Sequence, residues 1–253
     1  MTARGPRRSE RIASEDANSL PPASSVHSEG GRTADASAGA VWTVVIPVKA
    51  PAGAKTRLAA AVPPAEREAL ARAFALDTVS AAMAARSVAR VIVVGDDPAL
   101  AGAAEFLPEP ADGPRGLTRA IAYGIAHARV GDDEAGLRPV AVLLGDLPAL
   151  APEELDAVLD AASRHPLAYV RDADGTGTTL ATASAGVGLA PHFGADSAAR
   201  HAAAGFVELE ASAGLRRDVD TIDALADALA LGVGPLTRVA AAGIPLRGGA
   251  GAR

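Results

Sequence analysis

The stretch Pro139-Val140-Ala141-Val142-Leu143-Leu144-Gly145-Asp146-Leu147-Pro148-Ala149-Leu150 constrains the fold more than any other part of this chain. Five apolar residues in a row, bounded by Pro139 and Gly145, predict a strand buried on both faces of a parallel sheet. The run ends on a carboxylate followed by a proline, and a helix is predicted to start at Pro152. In open α/β sheets, ligands bind outside the carboxyl ends of the strands. Asp146, with Pro148 fixing the backbone beyond it, is therefore placed to hold a metal over a substrate. Capping of the turn into the next helix explains the same residue without any ligand.

The chain has 253 residues, but Met1–Gly39 is rich in Ser, Arg, Glu, Pro, Gly and Ala and has no periodic apolar run. It reads as a disordered tail. It lacks the apolar core of a secretory signal, and a start site assigned too far upstream explains it equally well. Residues 40–241 form the expected single domain, about 200 residues and enough for a sizeable core. Residues 242–253, rich in Gly and Arg, are expected to fray. A net charge of −6 with no large basic block outside the tail argues against a nucleic-acid groove. No segment approaches the roughly 18 apolar residues needed to span a membrane. The absence of cysteine excludes disulfides, thiolate metal sites and cysteine nucleophiles. A soluble cytoplasmic protein is the simplest reading.

Val41–Val48 predicts the first strand, with Pro47 tolerated at its end. The loop that follows, Lys49–Leu58, carries the three cations Lys49, Lys55 and Arg57 and one glycine. Such a loop suits a polyphosphate, because small residues let the backbone approach and Lys or Arg meets the charge. It matches neither the GxxxxGK[ST] nor the GxGxxG spacing, and a solvated surface would have the same composition. A helix over Pro64–Arg86 opens with proline and acids in its first turn. Arg90–Val94 predicts a second strand ending in Asp96 and Asp97, and Glu105–Leu107 a short third. A helix starts at Leu117, and His127 near its end reads as a surface residue. Beyond the organising strand come a helix over Glu153–Arg164, a strand over Pro166–Val170 and a short strand over Phe206–Leu209.

Three further stretches carry chemistry. In Gly175-Thr176-Gly177-Thr178-Thr179 the glycines allow close backbone approach to a ligand, and the hydroxyls offer donors to an anion. A plain hairpin explains the glycines but not three threonines. Phe193-Gly194-Ala195-Asp196-Ser197-Ala198-Ala199-Arg200-His201 places Asp or Ser at a helix start with N–H groups and Arg200 available to a second anion. Capping explains Asp196 and Ser197 equally well. Asp218-Val219-Asp220-Thr221 offers two carboxylates that can share a metal where the chain bends into the helix Ile222–Leu231, for which capping is again the plain alternative.

Together and in this order, the Lys49–Leu58 loop, Gly145-Asp146-Leu147-Pro148, GTGT, FGADSAARH and DVDT closely resemble one family. It is the phosphoenolpyruvate or 2-phospho-L-lactate guanylyltransferases of coenzyme F420 biosynthesis, themselves similar to molybdenum-cofactor guanylyltransferases. The resemblance spans roughly residues 41–240. It implies a Rossmann-like three-layer α/β sandwich with a mostly parallel central sheet, and transfer of GMP from GTP to a three-carbon phosphoacid with release of pyrophosphate. It further implies that Asp146, Asp218 and Asp220 hold Mg²⁺, and that Asp146, Asp218, Lys55 and Arg57 serve catalysis. Lys49, Lys55, Arg57 and Gly145 would bind the nucleotide; Thr178, Gly194 and Ser197 would bind the phosphoacid. Hand-over of an unstable product to the next pathway enzyme also follows. Leu117-Thr118 stands where many relatives have Leu-Asn, and Thr179 where some have asparagine, so the resemblance does not extend to the contact with the base.

The residues agree with such a transfer. Joining two polyanions needs charge neutralisation and positioning more than covalent help. A phosphate acceptor, with a second pKa of about 6, is already ionised near neutrality and needs no strong base. Asp218-Val219-Asp220-Thr221 also matches the DxDxT nucleophile of haloacid dehalogenase-like phosphatases, but that motif belongs at the end of a first strand. A nucleotide-binding regulator would need the cationic loop but not three carboxylates on two segments. A glycosyltransferase using a sugar nucleotide is the nearest alternative in mechanism. Among acceptors, phosphoenolpyruvate is favoured over 2-phospho-L-lactate and 3-phosphoglycerate on family likeness alone.

Overall fold

The computed structural model describes residues 41–49, 56–59, 61–110, 112, 115–130 and 138–246. The tail expected over Met1–Gly39, Lys55 and residues 247–253 lie outside the described residues.

Among the described residues the strands are β1 (Trp42–Pro47), β2 (Val88–Gly95), β3 (Glu105–Pro108), β4 (Val140–Leu143), β5 (Leu167–Arg171), β6 (Thr178–Ala183) and β7 (Val207–Glu208). They form one sheet in the order β3-β2-β1-β4-β6-β5-β7. Alternation splits the central strands cleanly. Val44, Ile46, Val91, Val93, Ala141 and Leu143 pack on one face; Val45, Ile92, Val94, Val140 and Val142 pack on the other. Both faces are covered, which is why these strands read as unbroken apolar runs.

The helices are α1 (Pro64–Ala84), α2 (Leu117–Ala128), α3 (Pro152–Ala162), α4 (Ser197–Ala203), α5 (Ala213–Arg216), α6 (Ile222–Leu231) and α7 (Pro235–Ala241). α1 and α3 cover the first face through Val79, Ala82, Leu155 and Leu159. α2 and α4 cover the second through Ile121, Ile125 and Ala198, completing three layers. α2 lies unusually close: a Cβ at Gly124 would sit 2.4 Å from Val45 Cγ1.

α1 is buried on two sides. Its Leu70 and Phe74 join Leu58, Val219, Leu225 and Val233 in a further cluster beside the sheet. Asp77 of α1 accepts from the N–H groups of Leu236 (3.2 Å) and Thr237 (2.7 Å) and so caps α7. Ile244 and Leu246, expected to fray, are half-buried against this cluster.

The expectation of a mostly parallel sheet holds, with one strand reversed. β4 is parallel to β1 but antiparallel to β6, and β6 alone runs against its neighbours. A tight hairpin after β5 reverses the chain, and the returning strand inserts between β5 and β4. The sheet is therefore mostly parallel, with the start of β6 at the edge where β1 and β4 end. The chain moves from β1 outward to β2 and β3, then returns to β4 on the other side of β1. That reversal opens the crevice in which open α/β sheets bind ligands.

Candidate active site

The turn after β4 is held by four different segments. Leu144 N–H donates to Thr179 O (2.9 Å), Leu147 N–H to Thr78 Oγ1 (3.1 Å), Val219 N–H to Asp146 O (3.1 Å) and Gly234 N–H to Pro148 O (2.9 Å). Thr78, fully buried in α1, itself donates to Phe74 O (2.8 Å). Gly145 has a packing role here: a Cβ would lie 3.1 Å from Val48 Cγ2 and 3.3 Å from Ile46 Cγ2. Asp146 is half-buried and does not cap the following helix. Glu154 does that, accepting from Ala151 N–H at 3.1 Å.

The Val219–Asp146 bond brings the 218–220 segment beside this turn. Val219 is buried and its neighbours Asp218 and Asp220 are half-exposed. Neither is needed as a cap, because Thr221 Oγ1 accepts from Ala224 N–H at 3.1 Å. Thr221 as a helix cap, late in the chain, also removes the phosphatase reading of DVDT. Among the described residues no group of three or more His, Asp or Glu side chains stands ready to hold a metal ion. The Asp146 turn and the 218–220 segment are thus joined through the backbone, without a preassembled three-carboxylate cage among the described residues.

Arg216 links this segment to the hairpin, with Nε on Arg171 O and Nη2 on Asp172 O, both at 3.1 Å, while Ala173 N–H donates to Arg216 O. The hairpin accounts for its glycines without a ligand. Asp172 accepts from Thr176 N–H (3.0 Å) and Gly177 N–H (2.8 Å), and a Cβ at Gly177 would collide with that carboxylate. Gly175 turns at φ 82°. The threonines are a separate matter. A bulge lies where β6 starts opposite Val170 and Arg171, and Thr178 and Thr179 are both buried there. Thr178 Oγ1 lies 3.1 Å from His201 Nδ1. Thr179 Oγ1 has no hydrogen-bond partner among the described residues.

Loop 192–197 closes this side. Asp196 occupies the position before α4 at φ 52°, the left-handed region, and makes no capping bond, so the capping explanation fails. Ala198 N–H is committed to Thr176 O (3.1 Å), so the helix start offers fewer N–H groups than expected. Arg200 Nη2 donates to Phe193 O at 3.1 Å. Ser197 is buried; Gly194 is exposed at φ 113°. His201 is fully buried, stacked on Tyr169 at 5.5 Å with Phe206 edge-on at 4.9 Å. Burial pushes its imidazole down to about 4.

On the β2 side of β1 lies a cleft of about 240 Å³, lined by Lys49, Asp96, Glu109, Arg115, Gly116 and Leu117 among others. Arg115 pairs with Asp96 at 3.2 Å, and Glu109 accepts from Gly116 N–H at 3.1 Å. Lys49 is exposed at its mouth. Arg57, also exposed, follows Thr56 in a short 3₁₀ turn whose Leu58 is buried in the same cluster as Val219. Lys55 lies outside the described residues. His127 bonds Glu105 at 2.6 Å, the surface role expected of it.

Sequence reasoning missed Thr78, Asp172 and Glu109, and it quoted His201 without giving it a role. Asp77 and Thr78, two polar residues inside an apolar helical run, were the available signal for the first.

The fold is a three-layer α/β sandwich around a mostly parallel sheet. It is similar to that of a protein of Desulfovibrio desulfuricans G20 proposed to be a nucleotide-diphospho-sugar transferase, with a TM-score of 0.55 over 72% of this chain and 84% of that one, at 18% identity. Residues 42–201 match the model of the family "Guanylyl transferase CofC like", and the chain belongs to that family of enzymes. It is 49% identical over 216 residues to the phosphoenolpyruvate guanylyltransferase of Streptomyces scabiei, covering 82% of this chain and 99% of the relative. It is 42% identical over 220 residues to that of Mycolicibacterium smegmatis, covering 84% and 96%. Among the described residues no helix is long and apolar enough to cross a membrane.

Proposed function

We propose that this chain transfers GMP from GTP to the phosphate of phosphoenolpyruvate, giving enolpyruvyl-diphospho-guanosine and pyrophosphate. The observation that carries the reading is the bond from Val219 N–H to Asp146 O, which joins two carboxylate segments at the sheet's switch point. The shared name of the relatives in Streptomyces scabiei and Mycolicibacterium smegmatis supports the acceptor.

In this reading the cleft beside β1 takes the nucleoside of GTP, with Lys49, Arg57 and Lys55 meeting the triphosphate and Gly145 keeping the β4 turn close to it. Thr178, Gly194 and Ser197 take the carboxylate end of the phosphoacid. The acceptor oxygen then attacks the α-phosphorus of GTP in line, and the bond to the β-phosphate breaks to release pyrophosphate. The donor set fits a divalent cation, because Mg²⁺ is commonly held by one or two carboxylates completed by substrate phosphates, and a three-carboxylate cage is not required. Asp146 and Asp218 would hold it, with Asp220 beside them, and it would neutralise charge on the reacting phosphates. No side chain need act as a strong base, since the acceptor is already ionised.

The test is pyrophosphate release with GTP, Mg²⁺ and, in turn, phosphoenolpyruvate, 2-phospho-L-lactate and 3-phosphoglycerate. The deazaflavin acceptor and the next enzyme are included to draw off an unstable product. Turnover with ATP equal to that with GTP, or release with none of the three acceptors, sinks the assignment.

A further inference from the structure

We propose that His201 is the positioning residue of the acceptor subsite, the group that fixes the Thr178 hydroxyl as a hydrogen-bond donor toward the phosphoacid. The inference rests on the reading above that Thr178 and Ser197 bind that acceptor.

The backbone N–H of His192 points at His201 Nε2, 2.9 Å away. A backbone N–H only donates, so Nε2 is the unprotonated nitrogen and the proton of the neutral ring sits on Nδ1. That Nδ1–H faces two acceptors, Ser197 O at 2.8 Å and Thr178 Oγ1 at 3.1 Å. A carbonyl cannot donate in return, and with the only ring proton on Nδ1 the Thr178 hydroxyl cannot donate there either. Thr178 therefore receives from His201 through its oxygen, and its own hydrogen is directed elsewhere. Thr178 is buried at the β6 bulge, where β1 and β4 end, and in this proposal its hydrogen is the one given to the acceptor in the crevice.

The same ring joins three segments across this side of the crevice: β6 through Thr178, the start of α4 through Ser197, and the loop before it through His192. Its surroundings leave the ring little freedom to turn, with Tyr169 stacked on it and Phe193 and Phe206 set edge-on. A pure packing role would need the rings but not this hydrogen-bond polarity.

Two substitutions separate the ring's ends. In His201→Asn the side-chain amide can occupy the Nδ1 position and keep a donor toward Thr178. In His201→Gln it reaches the Nε2 position and leaves Thr178 without one. The expected result is a phosphoenolpyruvate KM within about threefold of wild type for the Asn variant. The Gln variant should show one raised about tenfold or more, with the GTP KM unchanged in both. Equal effects of the two, or a GTP KM that moves in step, would overturn the proposal. Thr178→Val is measured alongside. If it leaves the phosphoenolpyruvate KM unchanged, the acceptor reading fails; if it raises that KM while Asn and Gln behave alike, only the role of His201 fails. Should the Gln variant not fold, nitrogen NMR of the wild-type imidazole decides: a ring protonated on Nδ1 at neutral pH is expected, and one protonated on Nε2 refutes the proposal.

Discussion

Thr78→Val tests whether the Asp146 turn is held from behind by α1. The substitution keeps the shape of a β-branched side chain and removes one hydroxyl. Phe74 O loses little, because as the i−4 carbonyl of an α-helix it still accepts the backbone N–H of residue 78. Leu147 N–H loses its acceptor, the Thr78 oxygen at 3.1 Å, and Leu147 is fully buried. An orphaned buried donor costs about 1–3 kcal/mol. For a domain of about 200 residues each kcal/mol lowers Tm by roughly 2–4 °C, so a drop of about 2–12 °C is expected. The Asp146–Leu147 peptide should also drift, and a misplacement near 1 Å at a reacting group can cost up to about a hundredfold in rate. Turnover should therefore fall about ten- to a hundredfold. Thr78→Ser retains the oxygen and deletes one methyl, costing about 1 kcal/mol with turnover preserved. Thermal unfolding and pyrophosphate release on all three proteins give the answer. If Val turns over at the wild-type rate, or Ser is as slow as Val, the hydroxyl does not position Asp146.

Asp146→Asn and Asp218→Asn should each lower turnover by about 10² or more with Tm nearly unchanged; near-normal rates at saturating Mg²⁺ would remove either residue from the site. His201 is held neutral by burial down to about 4, whereas an unfolded histidine protonates near its ordinary value of 6.5. Below 6.5 the unfolded chain binds the extra proton, so unfolding free energy should fall as pH drops from 6.5 toward 4, and His201→Asn should flatten that slope in denaturant titrations. Gly124→Ala gains about 1 kcal/mol of helix propensity but puts a Cβ 2.4 Å from Val45 Cγ1 and 2.8 Å from Val94 Cγ2. Both are stiff residues of central strands, and overpacking of about 1–3 kcal/mol should win and lower Tm.

What was legible in the sequence follows from the range of the forces involved. The apolar runs of β1, β2 and β4 announce themselves because both faces of those strands are buried, and Asp146 and Lys49 could be placed at strand ends from those runs alone. The antiparallel β6 could not be read this way. Its direction is set by the Asp172–Gly177 hairpin, whose glycines suited a ligand as well as a turn until Asp172 was seen to occupy the space. Thr78 and Leu147 are 69 residues apart, and Thr178 and His201 are 23 apart. No local pattern encodes either pairing. Yet Asp77, Thr78 and His201 each stand in helices that turn them toward apolar surroundings, where a polar group is costly unless it is bonded. Such a residue is an obligation written into the sequence: some other segment must come to satisfy it. Asp77 draws in the start of α7, Thr78 the turn that carries Asp146, and His201 the two segments read here as the acceptor's. In this chain the buried polar side chains beneath the crevice therefore fix the relative positions of loops that β-strand pairing alone would leave free.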